Sequence, residues 1–421
     1  MILFTHIRIF DGSGAASFAG EVLVDGNRIV EVSREGRVVC AEDVLRIDGH
    51  GATLMPGLTE AHAHLTWPSS VERFVPGMSL PPDELVLNTA RNARILLDHG
   101  FTSAYSGGAL SRSLEVTLKA HIDAGALPGP RLVPSSIERE PPSDTHAIAP
   151  EHVEQHGSGP ESIKAFVRAC AQIGAKAVKF LLSGESALKP GASMQLLYSA
   201  EEIAAAGEQA RESQVWLTGH AHAPEAIKLG VRNGFHALYH CTYADAEALD
   251  LITSRKGDLF IAPSVGIAQA TLDAVPPPHF DMRHMKEDAK IVIEHQSKVM
   301  PELKRRGVRV LPGGDYGFPF NPHGRNARDL QLFVRYFGFT ATEALIAATR
   351  HGGELMGMGH ELGQVRPGYL ADLLLVQGDP TNDVALLQDR NNLLAIMKDG
   401  RFHKAPEGAD LRPRATGKET S

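Results

Sequence analysis

A chain of 421 residues that is 43% hydrophobic can bury a core far larger than one small domain needs. A barrel of about 250–300 residues plus an accessory piece fits that length. Its 42 lysines and arginines against 50 acidic residues leave a net charge of −8, with the basic residues scattered, so nothing points to nucleic acid. The three cysteines, Cys40, Cys170 and Cys241, stand far apart, which argues against a disulfide framework or a thiolate zinc site.

The opening run, Met1-Ile-Leu-Phe-Thr-His-Ile-Arg-Ile-Phe-Asp-Gly, alternates apolar and polar residues and then turns. That pattern predicts a strand rather than a secretory leader. Asp25-Gly26-Asn27 marks a tight hairpin. The same texture returns in Gly368-Tyr-Leu-Ala-Asp-Leu-Leu-Leu-Val and Leu394-Ala-Ile-Met-Lys-Asp-Gly-Arg-Phe. Residues 1–55 and 358–404 are therefore expected to pair into one small β-sandwich domain, followed by a polar tail over 405–421. No run approaches the roughly 18 apolar residues of a membrane span. A cytoplasmic protein with a small-molecule substrate is expected, with no nucleic-acid or membrane partner; a homo-oligomer is left open.

Between the two ends, over 56–357, short apolar runs alternate with segments of helical period, as in a parallel βα array. The strand expectations are Thr53-Leu-Met, Ser103-Ala-Tyr, Arg131-Leu-Val-Pro, Ala177-Val-Lys-Phe-Leu, Val215-Trp-Leu-Thr-Gly, Ala237-Leu-Tyr, Leu259-Phe-Ile-Ala-Pro and Val308-Arg-Val-Leu-Pro. Helices are expected over 85–99, 162–173, 200–213, 223–233, 244–253 and 289–306, the last ending in the solvated run Lys304-Arg305-Arg306. Eight strands with crossover helices favour a (β/α)8 TIM-type barrel, with an open doubly wound sheet as the alternative that counting alone leaves standing.

His62-Ala63-His64 places two imidazoles on one side of an extended segment, where both reach one ion. Neutral imidazole suits zinc, iron or manganese. Lys179 interrupts an apolar strand, where an ammonium is costly to bury. It is either a snorkelling lysine or an amine of depressed pKa that takes up carbon dioxide as an anionic carbamate bridging two cations. His220, His240 and Asp315 follow other strands, at the end of a barrel that carries catalytic groups. Asp315 is expected to bind metal and act as general acid/base. His222, two residues past His220, is a candidate oxyanion or substrate contact, or equally a partner that orients a ligand. His146, Tyr243, His323 and Arg325 are candidate substrate contacts from loops. His279, His284 and His295 read as surface residues.

Pro56-Gly-Leu-Thr-Glu-Ala-His-Ala-His, the strand Lys179, the strand-end His220 and His240, and Gly313-Gly-Asp315 together resemble the amidohydrolase superfamily. The late Leu362-Gly-Gln-Val-Arg-Pro-Gly-Tyr-Leu-Ala-Asp-Leu string extends the resemblance over nearly the whole chain. It looks closest to the binuclear imidazolonepropionase-like branch, which includes prolidase-type dipeptidases and ochratoxin-hydrolysing amidases. The resemblance implies that His62 and His64 hold one divalent ion with Asp315, and that His220 and His240 hold a second. It also implies that N6-carboxylated Lys179 bridges them and that a bridging hydroxide attacks an amide, peptide-like or carbamate-like. Zinc is the default metal; manganese, iron or cobalt suit the same ligands. The alternative on the same centre is a deaminase or a cyclic amide or lactone hydrolase. The sequence departs from the family pattern in two places. Glu60 stands where the family usually has aspartate, and Tyr105-Ser106 replaces the branch's usual Arg-Asp.

Overall fold

The structure, a computed structural model, describes residues 1–34, 39, 44–69, 78–141, 153–154, 157–278 and 280–409. Five strands open the chain: β1 (Ile2–Ile9), β2 (Phe18–Asp25), β3 (Arg28–Arg34), β4 (Leu45–Asp48) and β5 (Thr53–Pro56). A second set follows: β6 (Leu58–Ala63), β7 (Phe101–Ser106), β8 (Arg131–Val133), β9 (Glu138–Arg139) and β10 (Val153–Glu154). It continues through β11 (Ala177–Leu181), β12 (Trp216–Ala221), β13 (Ala237–His240), β14 (Phe260–Ala262) and β15 (Arg309–Val310). The last strands are β16 (Leu373–Val376), β17 (Leu393–Lys398) and β18 (Arg401–Lys404).

The two chain ends do pair. Their strands share one hydrogen-bonded network in the order β18-β17-β16-β5-β1-β2-β3, with β4 also on β1. It branches at β1 rather than dividing into two separate sheets. The expected hairpin is present, with Asp25 opposite Arg28 and Gly26 in the left-handed region at φ +55. One assignment moves: Thr53-Leu-Met, read as the first barrel strand, lies in β5, which pairs with β1 and β16. The first strand of the central array is β6, one residue further on. Both strands are wholly buried, so no alternation in the sequence separates them.

The central strands are parallel and form two arcs, β6-β7-β8 and β10-β9-β11-β12-β13-β14-β15. Isolated parallel bridges, Ser135↔Ala177 and Ala63↔Tyr316, link the arcs. The arrangement is TIM-barrel-like, but among the described residues its ladder is not the continuous closed ring of eight strands that was expected. A proline follows the last strand of each arc, Pro134 after β8 and Pro312 after β15, and proline has no amide to donate to a neighbour. Inside the ring, Tyr105, Val133, Ala177, Tyr239 and Phe260 pack as an apolar plug.

All six expected helices are present, as Pro82–Asp98, Pro160–Gln172, Ala200–Ser213, Pro224–Arg232, Ala246–Ser254 and Arg283–Arg305. The Ala200 helix begins at a capping box in which Ser199 and Glu202 satisfy each other's backbone amides. Helices Leu114–Asp123, Val265–Asp273, Arg328–Phe337, Ala341–Ala348 and Arg350–Leu355 were not anticipated. No described helix is long and apolar enough to cross a membrane.

Arg131 on β8 ties the array to the terminal sheet, 2.6 Å from Asp399 and 3.3 Å from buried Asp372. Removing the guanidinium leaves Asp372 buried with only the weaker field of Lys398 to balance it. Arg131→Ala is therefore expected to cost about 3 kcal/mol by urea denaturation. A loss below about 0.5 kcal/mol, the range of an ordinary surface change, would contradict this coupling of the two units.

Candidate metal centre

Alternate residues along β6 face one way, so Glu60, His62 and His64 line up at the strand's end. Their surroundings fix the two imidazoles. His64 Nδ1 lies 3.0 Å from the Gly108 carbonyl, which only accepts, so the proton sits on Nδ1 and Nε2 keeps its lone pair. His62 Nδ1 is 2.8 Å from Ser264 Oγ. The two Nε2 atoms stand 3.2 Å apart, and His64 Nε2 is 2.9 Å from Asp315 Oδ1. Burial, with Lys179 and His64 nearby, holds the His62 pKa well below its ordinary value, so the ring is neutral.

Glu60 lies one layer behind. Its carboxyl accepts from the His62 amide at 3.1 Å and from Asn326 Nδ2 at 2.7 Å. Burial, reinforced by Asp329, raises its pKa to about 8. Asp315 has φ +59, a conformation costly for a residue with a side chain. Asn321 Nδ2 holds that turn by donating to the carbonyls of Gly314 and Asp315 at 2.9 and 3.0 Å. Asp329 accepts from Tyr316 Oη and from the Gly313 amide at 2.8 and 3.2 Å. His240 and Ser264 also have positive φ, +70 and +58, so backbone strain gathers around this centre.

Register places the second group. Leu181 on β11 is opposite His220 on β12, and Ala221 is opposite His240 on β13. The His240 ring centroid lies 4.4 Å from those of both His220 and His222. His240 is buried, its pKa is driven well down by that burial, and its Nε2 has no hydrogen-bond partner among the described residues. A buried, neutral imidazole with a bare nitrogen suits a cation. The structure thus groups two sets able to hold metal: His62, His64 and Asp315, and His220, His222 and His240. His222 belongs to the second set as closely as its neighbours, with Nε2 3.3 Å from Glu185 Oε2.

Lys179 lies against the first set, Nζ 3.4 Å from His62 Nε2 and 4.5 Å above the Tyr239 ring, and it donates to the Gly107 carbonyl at 2.8 Å. Burial lowers its pKa, against opposing pulls from Glu138 and Asp315. Snorkelling is ruled out, because the nitrogen is buried inside the array. Gly107 is itself constrained: a Cβ there would meet His62 Cδ2 at 2.1 Å and His64 Nε2 at 3.0 Å.

Of the expected substrate contacts, His146 lies outside the described residues, as does His279. His323 is buried and braces the centre from behind, its Nε2 3.0 Å from the His64 carbonyl. Tyr243 packs 4.9 Å from His295 and 6.4 Å from His222, beside the cavity rather than on its wall. Arg325 lines an adjoining cavity with Pro319, Phe320 and Arg328. His284 and His295, expected on the surface, are half-buried, with His284 Nε2 2.6 Å from the Ser186 carbonyl.

Sequence reasoning passed over Glu138, Glu185, Ser264 and Asp288, which all line the same cavity, of about 920 Å³ including its mouth. Glu138 opens the short β9, set off from β8 by Pro134, and Glu185 lies in the loop that follows β11. Glu185 is legible as a residue of a loop after a barrel strand, whereas Glu138 has no such signal. Trp67 stacks on His64 with centroids 3.5 Å apart.

The amidohydrolase family profile matches residues 53–402, and the chain belongs to that family, hydrolases acting on carbon–nitrogen bonds. The ochratoxinase of Aspergillus niger is 25% identical over 381 residues, which cover 84% of this chain and 76% of that protein. A Xaa-Pro dipeptidase with bound methionine in its active site superposes with a TM-score of 0.83 at 23% identity, covering 96% of this chain and 100% of that one. Phenylurea hydrolase B superposes with a TM-score of 0.76 at 19% identity, covering 95% and 96%. These structural likenesses speak for a shared fold.

Gly107→Ala drives a methyl group into both imidazoles of the first set. It is expected to lower metal affinity by about 100-fold, comparable to losing an orienting partner. Metal content by plasma mass spectrometry, with circular dichroism to verify the fold, reads this out; undiminished metal would contradict the geometry.

Proposed function

We propose that this chain is a metal-dependent amidase that hydrolyses a peptide-like or carbamate-like amide bond of a small molecule. The observation that carries the reading is the meeting of two ligand sets, His62/His64/Asp315 and His220/His222/His240, on one cavity with Lys179 buried beside them. The His62 and His240 rings lie 5.9 Å apart, which brings the sets side by side.

His62, His64 and Asp315 would hold one divalent cation and His220 and His240 another, with zinc the default and a carboxylated Lys179 as a further anionic ligand. Two such ions supply Lewis acidity to the amide carbonyl and bring the pKa of water toward about 7. Asp315 takes the proton from the attacking water and returns it to the departing nitrogen, which makes the amine a viable leaving group. Its strained backbone and the Asn321 clamp keep the carboxylate at one place for both transfers. His222 faces the same space and contributes a hydrogen bond to the carbonyl oxygen as negative charge develops there. The names of the relatives, an ochratoxinase and a Xaa-Pro dipeptidase, favour amide cleavage over the deaminase or cyclic-amide alternative. A small molecule is the partner such a cavity takes.

Purified protein is expected to hold about two divalent ions per chain and to lose amide hydrolysis on chelation, regaining it with added metal. No metal, and no rescue by zinc or manganese, would sink the reading. Asp315→Asn is expected to lower kcat by about 10³-fold, whereas His222→Ala should cost about 10-fold, and equal losses in steady-state kinetics would refute this division of roles.

A further inference from the structure

The cavity has an inner end of histidines and an outer wall that includes Leu188, Ile267, Met285, Val292, Phe318 and Phe320. Most charged groups on it are spoken for. Glu138 Oε1 makes no hydrogen bond among the described residues but lies 3.7 Å from His64 Nδ1 and in the field of Lys179; Glu185 faces His222, Asp315 faces His64, and Lys179 is bonded to the Gly107 carbonyl. Asp288 is the exception. It sits on the helix Arg283–Arg305, on the same face as Met285, Ala289 and Val292, and is only 7% exposed. Among the described residues it makes no hydrogen bond and no ion pair.

That helix is firmly seated. Gln296 Nε2 donates to the carbonyls of His240 and Pro263 at 3.2 and 2.6 Å, so the carboxylate is carried on a wall pinned to the strand ends. A buried carboxylate facing an apolar chamber is costly unless something positive meets it. Nearby Glu185 adds negative charge; His222 and His284 are the nearby imidazoles, but His222 is held between Glu185 and Thr242 and His284 is turned to the Ser186 carbonyl, so neither bonds the carboxylate. Asp288 is in neither group of metal-ligating side chains, so it is not itself a ligand of the ions proposed above. Among the described residues, Lys179 is the one lysine on the cavity lining, and no arginine occurs there.

Resting on the amidase reading, we propose that Asp288 anchors a protonated amine of the substrate, so that the site takes amides carrying an ammonium group beside an apolar one. The apolar wall receives the hydrocarbon or aryl portion, and Asp288, with the negative field of Glu185, receives the ammonium.

The test uses two near-isosteric amides, N-(2-aminoethyl)benzamide, positively charged at neutral pH, and neutral N-propylbenzamide. Calorimetric titration of the metal-loaded protein is expected to show the charged amide binding about 10-fold tighter. In Asp288→Asn that preference should vanish while N-propylbenzamide affinity and metal content hold, which also verifies the variant's fold. Equal affinities in the unaltered protein would overturn the proposal. So would a preference that survives in Asp288→Asn, or an equal loss of both ligands. Binding is scored whether or not either amide is cleaved. A preference that depends on Asp288, in protein that takes up no divalent metal, would support the subsite and overturn the hydrolase reading instead.

Discussion

Two buried imidazole nitrogens held 3.2 Å apart form the constraint around which the rest of the centre is organised. Such a pair repels unless a cation or proton lies between the nitrogens, and burial makes a proton costly. The surroundings hold the pair in place: Ser264 and the Gly108 carbonyl grip the outer nitrogens, Glu60 takes the His62 amide, and His323 braces the His64 carbonyl. Gly107 is bare because a methyl group would occupy the place where the rings converge.

The fold supplies this arrangement from distant parts of the chain. β6 carries the first pair of histidines, β11 the lysine, β12 and β13 the second set, and the segment after β15 the aspartate. Parallel register brings these ends to one level. The strain at His240, Ser264 and Asp315 is sustained because each turn is over-determined by neighbours, as with the Asn321 and Asp329 bonds around Asp315. The terminal sheet lies elsewhere and is joined to the array through Arg131 and its two aspartates.

The cavity divides its charges by role. Carboxylates nearest the histidines contact the ligand sets, while Asp288 stands apart on a helix and faces apolar residues. The histidines mark one end of the cavity, and the wall around them shapes what enters. A fold is shared by enzymes of different substrates, so specificity has to be read from the residues that wall the site.

Much of the centre was legible in the sequence because its residues violate local expectation. A lysine inside an apolar strand and histidines at strand ends stand out in one dimension, and the β/helix alternation already suggested a barrel. The split sheet was legible from two distant Asp-Gly hairpins. Other features depended on the third dimension. β5 and β6 are equally apolar, so only pairing showed that they belong to different sheets. His222 read as an oxyanion or substrate contact, or a partner orienting a ligand, and only ring positions grouped it with His220 and His240. Asp288 sits on the helix's apolar stripe, where the sequence shows a polar interruption but not what it faces. Local propensity and period belong to the chain alone, whereas burial, partner and register depend on which distant segment packs opposite. Those were decided only by the tertiary fold.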